Sequence, residues 1–386
     1  MKRLFSASLV GLLFALSAAA TQAQINFGAV GDSLTDEYLP APNQFSTDLA
    51  AYSWLEIIAR LRSGDFNFGE YREAPNYWGD RRDAGYEFNW AKVGAVASDN
   101  TALKVNFGGS ILPLRLDNPL LGGSYISTQT AGLAAQIAND QVQVAFVGGG
   151  SNDFFYRTTL FDPSQNRYPD PAAAPAGDVV DIASAILANL DTLIAAGASS
   201  SRGSVDLVLG LLPAGTASDE PPSQELLDAI AAVNDLLVAG ASQRGVATVD
   251  MWSWTLDDGR LNPDGSVNIG DLIVEPDSVA SAADLSLTGS GACNASGLCA
   301  TSTHATKLLA EDGTHPNTAI QGLMANQILA ALNASYGYNV ALLSDAEIVS
   351  LTGYTAVPVP AALWLFGSAL LALAGIRRKA LRPACV

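Results

Sequence analysis

The chain has 386 residues, 49% of them apolar, and a formal net charge of −18. That apolar share can bury a sizeable core, which argues against wholesale disorder, and the length fits one large α/β domain with insertions. Six basic residues (Lys2, Arg3, Arg377, Arg378, Lys379 and Arg382) lie in end segments without acids, so the body between them carries about −24 and is expected to repel nucleic acid.

In chain order, Lys2 and Arg3 precede an apolar stretch from Leu9 to Ala20, and Thr21-Gln22-Ala23 puts small residues at the −3 and −1 positions of a cleavage site. This pattern predicts a secretory signal peptide over 1–23, since the run is short for a permanent span. Ile25 to Val30 reads as a first strand ended by Gly31, and Ser53 to Leu61 as a helix with Trp54, Leu55, Ile58 and Leu61 on one face. Val142 to Val147 is a strand closed by three glycines. Asp178 to Ala196 is an amphipathic helix, and Val205 to Leu212 a strand stopped by Pro213. Glu225 to Ser242 is a helix, followed by a strand from Val246 to Met251; Thr318 to Ala334 is the last helix. Strands alternating with helices predict an α/β fold with a parallel sheet covered on both faces. The Asp/Gly-rich piece from Asp257 to Asp271 carries an Asp264-Gly265 turn signal and reads as a surface hairpin or insertion. It lacks the full ligand spacing of a calcium loop.

Residues 24–340 are thus expected to form the folded domain, 341–356 a linker, and 357–386 a separate signal. Ala361 to Ile376 is wholly apolar or small and is followed directly by Arg377, Arg378 and Lys379, a span with a cytoplasmic basic flank. The order Val357-Pro358-Val359-Pro360-Ala361-Ala362, then Trp364-Leu365-Phe366-Gly367, then the apolar run and the basic cluster, resembles a PEP-CTERM sorting tail of the form beginning Val-Pro-Leu-Pro-Ala. The resemblance implies an exosortase-type protease as a partner that removes the tail. It also implies transient anchoring at the inner membrane of a Gram-negative bacterium before release to the surface or extracellular matrix. A permanent anchor is the alternative that a span plus basic flank also satisfies. Cys293 and Cys299 are spaced to close a small loop, and in an exported protein they are expected to form a disulfide. A zinc site is not expected, because only His304 is in reach of them.

Four short elements carry chemistry. Gly31-Asp32-Ser33-Leu34 follows the first strand, where open α/β sheets place their active groups. Read alone, the tetrapeptide fits an ordinary strand-to-helix turn equally well. Asp312-Gly313-Thr314-His315-Pro316 puts a carboxylate three residues before an imidazole, a spacing that lets a turn bring them together. A serine nucleophile needs such a base, and the base such an acceptor. Gly150-Ser151-Asn152-Asp153 and Asn89-Trp90-Ala91-Lys92-Val93-Gly94-Ala95 offer a side-chain amide and a glycine N–H that could meet an oxyanion. Ordinary turn chemistry and a close backbone approach are the plainer accounts of Asn152-Asp153 and Gly94.

Together and in this order the four elements resemble the four blocks of SGNH hydrolases, also called GDSL esterases and lipases, over about Ile25 to Asn333. The resemblance implies a three-layer α/β/α sandwich with a flavodoxin-like central parallel sheet. It implies Ser33 as nucleophile, His315 as base, Asp312 as its orienting acid, and an oxyanion hole from the N–H groups of Ser33 and Gly94 with the Asn152 amide. It implies ester hydrolysis without cofactor or metal. The substrate could be a lipid ester, a short acyl ester or an O-acetyl group on exopolysaccharide. A noncatalytic matrix protein keeping the fold is a further alternative. Pro40–Thr47, Asp65–Asp83 and Trp252–Thr306 depart from the pattern as apparent insertions, and Gly148–Gly150 is richer in glycine than the usual block.

Overall fold

A computed structural model describes residues 24–37, 52–72, 85–107, 110–116, 124–158, 160–161, 176–213, 223–251, 259–279, 305–310 and 315–354. Its centre is a five-stranded sheet of β1 (Ile25–Val30), β2 (Phe66–Asn67), β7 (Val144–Val147), β9 (Asp206–Gly210) and β10 (Ala247–Val249). The strand order is β10-β9-β7-β1-β2 and every pairing is parallel. Successive side chains of a strand point to opposite faces, so a parallel strand covered on both sides can be apolar throughout. The buried residues obey that alternation. Phe27, Ala29, Val144, Phe146 and Val208 enter one core, while Val30, Ala145, Val147, Leu207 and Leu209 enter the other.

Helices α1 (Trp54–Leu61) and α6 (Thr318–Tyr336) cover the first face through Trp54, Ile58, Leu323 and Ile328. The opposite face is covered by α2 (Ile126–Ala138), α4 (Ala176–Ser199) and α5 (Gln224–Gln243), which pack on one another through Leu133, Ile186, Leu190 and Val233. The expected three-layer α/β/α sandwich is therefore the observed architecture. By length and composition alone Gly177–Ser199 of α4 could cross a membrane, but its apolar side forms part of this core.

The remaining strands are peripheral to the sheet. β3 (Tyr71–Arg72) pairs with β4 (Gly85–Tyr86), and β5 (Ala102–Phe107) forms a hairpin with β6 (Ser110–Arg115), with β8 (Leu160–Phe161) beside β5. β11 (Val267–Ile269), β12 (Leu272–Val279) and β13 (Lys307–Leu309) make a third small sheet. α3 (Ser151–Thr158) follows β7.

Two expectations need correction. Asp65–Asp83 is not wholly an insertion, because Phe66–Asn67 forms the edge strand of the central sheet and Phe66 and Phe68 are buried in its core. Nor is 341–356 a bare linker. It carries α7 (Asp345–Leu351), which buries Ile348 and starts with a capping box from Ser344 and Glu347. The expected hairpin near Asp264-Gly265 is β11–β12, whose own turn lies at Gly270-Asp271. The signal, Pro40–Thr47, Cys293, Cys299, Asp312 and the C-terminal segment from 355 lie outside the described residues.

Candidate active site

β1 is the middle strand of the trio β7-β1-β2, and its carboxyl end delivers Gly31, Asp32 and Ser33 to one edge of the sheet. The turn that follows is held locally. The Asp32 carbonyl accepts the N–H groups of Thr35 and Asp36, both at 3.0 Å, and its carboxylate Oδ1 accepts the Leu34 N–H at 3.1 Å. Such an Asx turn pins the backbone on either side of Ser33, and Ser33 itself stays half-buried rather than sealed in.

Long-range tethers fix the elbow in space. The Gly31 N–H donates to Gln129 Oε1 of α2 at 2.8 Å, and the Gly31 carbonyl accepts the Lys92 N–H at 3.1 Å. Asn89 Nδ2 donates to the Thr35 carbonyl at 3.1 Å, and the Val93 N–H to Asp36 Oδ2 at 2.8 Å. Asn89–Val93 therefore runs alongside the elbow and presents Gly94 next to it. Gly94 has φ +70°, a left-handed conformation in which any Cβ is strained.

From β7 the chain swings into α3 through Gly148-Gly149-Gly150. Gly149 and Gly150 have φ of +102° and +123°, which accounts for a run richer in glycine than the resemblance alone would require. Asn152 then lies in the first turn of α3, and its Nδ2 donates to the Ala95 carbonyl at 3.0 Å. Gly94 and Asn152, expected as neighbours from motif order only, are thus one hydrogen bond apart along the chain.

His315 is buried. Backbone bonds position it on the β13-to-α6 connection: the Ala310 N–H reaches the His315 carbonyl at 2.8 Å, and the Asn317 N–H reaches the Leu308 carbonyl at 3.0 Å. Asn317 is the N-cap of α6. Burial pushes the Asp32 carboxyl above its usual range. The Leu34 N–H and the charge of His315 pull it partly back. A hydroxyl, an imidazole, a left-handed glycine and an oriented amide are the groups that acyl transfer requires.

A small, open cleft adjoins the elbow at the carboxyl ends of β1, β7, β9 and β10, with Asp32, Leu34, Ser151, Leu212, Pro213 and Met251 on its walls. Among the described residues no group of three or more His, Cys, Asp or Glu could hold a metal.

Motif reading did not reach Gln129, which lies 98 residues from Gly31 in an element of small and polar residues. Asp36 and Asn89 sit inside or beside the motif blocks, where a search for turn-closing carboxylates and amides could have found them.

A family model described as GDSL-like Lipase/Acylhydrolase matches residues 27–328. No curated protein matches the chain. Among solved structures, a member of the lipolytic protein G-D-S-L family from Veillonella parvula is 14% identical, with 80% of this chain and 98% of that one covered at a TM-score of 0.35. A carbohydrate acetylesterase from Sinorhizobium meliloti is 13% identical over 59% of this chain and 84% of that one, with a TM-score of 0.32. An aryl esterase from M. smegmatis is 13% identical over 59% and 85%, also at 0.32.

Proposed function

From the premise that this chain belongs to the GDSL-like lipase/acylhydrolase family and hydrolyses ester bonds, we propose that it is an exported serine esterase working through an acyl-enzyme on Ser33. The observation that supports the reading is the elbow: Ser33 lies half-buried in the turn after a central strand, the segment leading to Gly94 is hydrogen-bonded to that turn, and Asn152 is bonded to Ala95 beside it.

In the proposed reaction neutral His315, oriented by Asp312, takes the proton from the Ser33 hydroxyl as Oγ bonds to the ester carbonyl carbon. The carbonyl oxygen becomes an oxyanion, met by the N–H groups of Ser33 and Gly94 and by the Asn152 amide. Collapse breaks the C–O bond to the alcohol, which leaves with the proton from His315. Water then attacks the acyl carbon and gives a proton to His315; collapse breaks the bond from that carbon to Ser33 Oγ, which takes the proton back from His315 as the acid leaves.

The substrate class we infer is a carboxylic ester with a lipid, short acyl or acetylated-glycan origin. The sorting-tail pattern supports the exopolysaccharide setting, and the export route adds a signal peptide over 1–23 and an exosortase-type partner acting near Val357–Pro360.

A fluorophosphonate probe should label the wild-type protein and spare Ser33→Ala, which should fold and fail to turn over nitrophenyl esters. Equal labelling of both would remove Ser33 from the mechanism. A series of nitrophenyl esters of rising chain length, run beside an acetylated glycan, then orders the substrates.

A further inference from the structure

Asp153 follows Asn152 in α3 and is fully buried. Its Oδ2 accepts the Ala97 N–H at 2.7 Å, and its Oδ1 accepts the Ser98 N–H at 3.0 Å and the Thr101 hydroxyl at 2.6 Å. One residue earlier, Asn152 holds the Ala95 carbonyl. Two successive residues of α3 therefore grip the segment that begins at Gly94.

Behind Asp153, one helical turn along, Arg157 Nε donates to Thr101 Oγ1 at 2.7 Å, and the guanidinium pairs with Asp178 at 2.8 Å and with Asp181 of α4. Asp181 in turn accepts the Ser98 hydroxyl at 2.5 Å and Asn100 Nδ2 at 2.8 Å. The 94–101 segment is tied to α3 and α4 by charged groups that contact neither the elbow nor the cleft. A buried carboxylate is costly unless its hydrogen bonds are satisfied, and a buried apolar side chain could have filled the same space. The arrangement spends stability on the placement of a backbone segment.

We propose that Asp153 is a positioning residue for ester hydrolysis: its carboxylate sets the separation of the Gly94 N–H and the Asn152 amide, so that both address one oxyanion before substrate arrives. This rests on the oxyanion-hole reading above. Preorganised donors lower the barrier only where charge develops, so displacing them lowers kcat and leaves KM nearly as it was.

The test compares wild type with Asp153→Asn, Thr101→Val, Asp191→Asn and Ser33→Ala on nitrophenyl acetate, with a melting curve for each. Asp153→Asn turns an amide donor toward a backbone N–H, and the 94–101 segment must shift. Its kcat should fall about ten- to a hundredfold with KM within about threefold, and fluorophosphonate labelling should slow in parallel. Thr101→Val removes one of three donors and should lower kcat a few-fold in the same direction, which keeps the idea testable if Asp153→Asn does not fold. Asp191→Asn breaks the exposed pair with Arg244 and should leave both constants unchanged. Folded Asp153→Asn and Thr101→Val proteins with wild-type kcat would overturn the positioning role while leaving the Ser33 reading intact. Activity retained by Ser33→Ala would instead overturn the reading on which the role rests.

Discussion

At the scale of the residue, the Asp153 carboxyl is pushed up to about 6 by burial, against the pull of the Thr101 hydroxyl, the Ala97 and Ser98 N–H groups and the Arg157 charge. In the unfolded chain the same group titrates near 3.8. Below that value both states hold the proton and the site costs nothing. As pH rises to about 6 the unfolded state releases its proton first, so this group's contribution to stability is lost across that interval. The expected loss is on the order of 3 kcal/mol. Urea titrations at pH 4 and pH 7 should show wild type losing ground to Asp153→Asn by that order as pH rises. A difference independent of pH would mean that the carboxyl is not buried as an ion. The glycines are the other residue-scale device: Gly94, Gly149 and Gly150 hold left-handed turns that a side chain would strain.

At the scale of the element, α7 shows how a short helix joins the domain. Arg62, at the C-cap of α1, is largely buried, and its guanidinium reaches the Ala341 carbonyl at 2.7 Å, the Leu342 carbonyl at 2.8 Å and Glu347 Oε1 at 2.8 Å. The Arg62 hydrogen bond, with help from Ser344, holds the Glu347 carboxyl down to about 2. Arg62→Ala strands two carbonyls and undocks α7, at a cost of roughly 2–3 kcal/mol, read as a melting temperature lower by several degrees. Because the Glu347 value is depressed, its share is present above the ordinary value of 4.5 and is lost as pH falls toward about 2. The gap between wild type and Arg62→Ala should therefore narrow in acid. Neither α7 nor α2 was legible in the sequence. α7 is only seven residues long and draws its stability from Arg62, 285 positions from Glu347. α2 has Tyr125 at its N-cap without a side-chain cap bond, and its residues are mostly small or polar. α4 and α5, with long apolar stripes, were legible to within about three residues at each end.

At the scale of the whole molecule, the proposed export route makes the C-terminal span a temporary handle on an acidic hydrolase. A permanent anchor predicts the opposite fate, since a spanning helix is held far more firmly than any peripheral contact. Mass spectrometry of the mature protein from its native host should find a C-terminus before Ala361, and that end should disappear when the exosortase gene is deleted. Recovery of Trp364–Arg377 in a membrane-bound mature form would rule processing out. The folded domain runs at least to Tyr354, so a cut near Val357–Pro360 would leave it whole.

Features that depend on neighbours along the chain could be read from the residues alone: the alternation of strands and helices, the apolar runs that two-sided burial permits, and the order of four motifs around Ser33, Gly94, Asn152 and His315. Periodicity and turn chemistry are local, and they are written in successive residues. Folding in three dimensions was needed to show that Gln129 anchors Gly31, that Asp36 and Asn89 hold the Gly94 segment against the elbow, and that Asp153 and Arg62 each tie distant stretches together. A hydrogen bond between residues far apart in the chain leaves no periodic trace. It arises when packing of the sheet's two faces brings one donor to about 3 Å from one acceptor and removes the water that would otherwise have satisfied both.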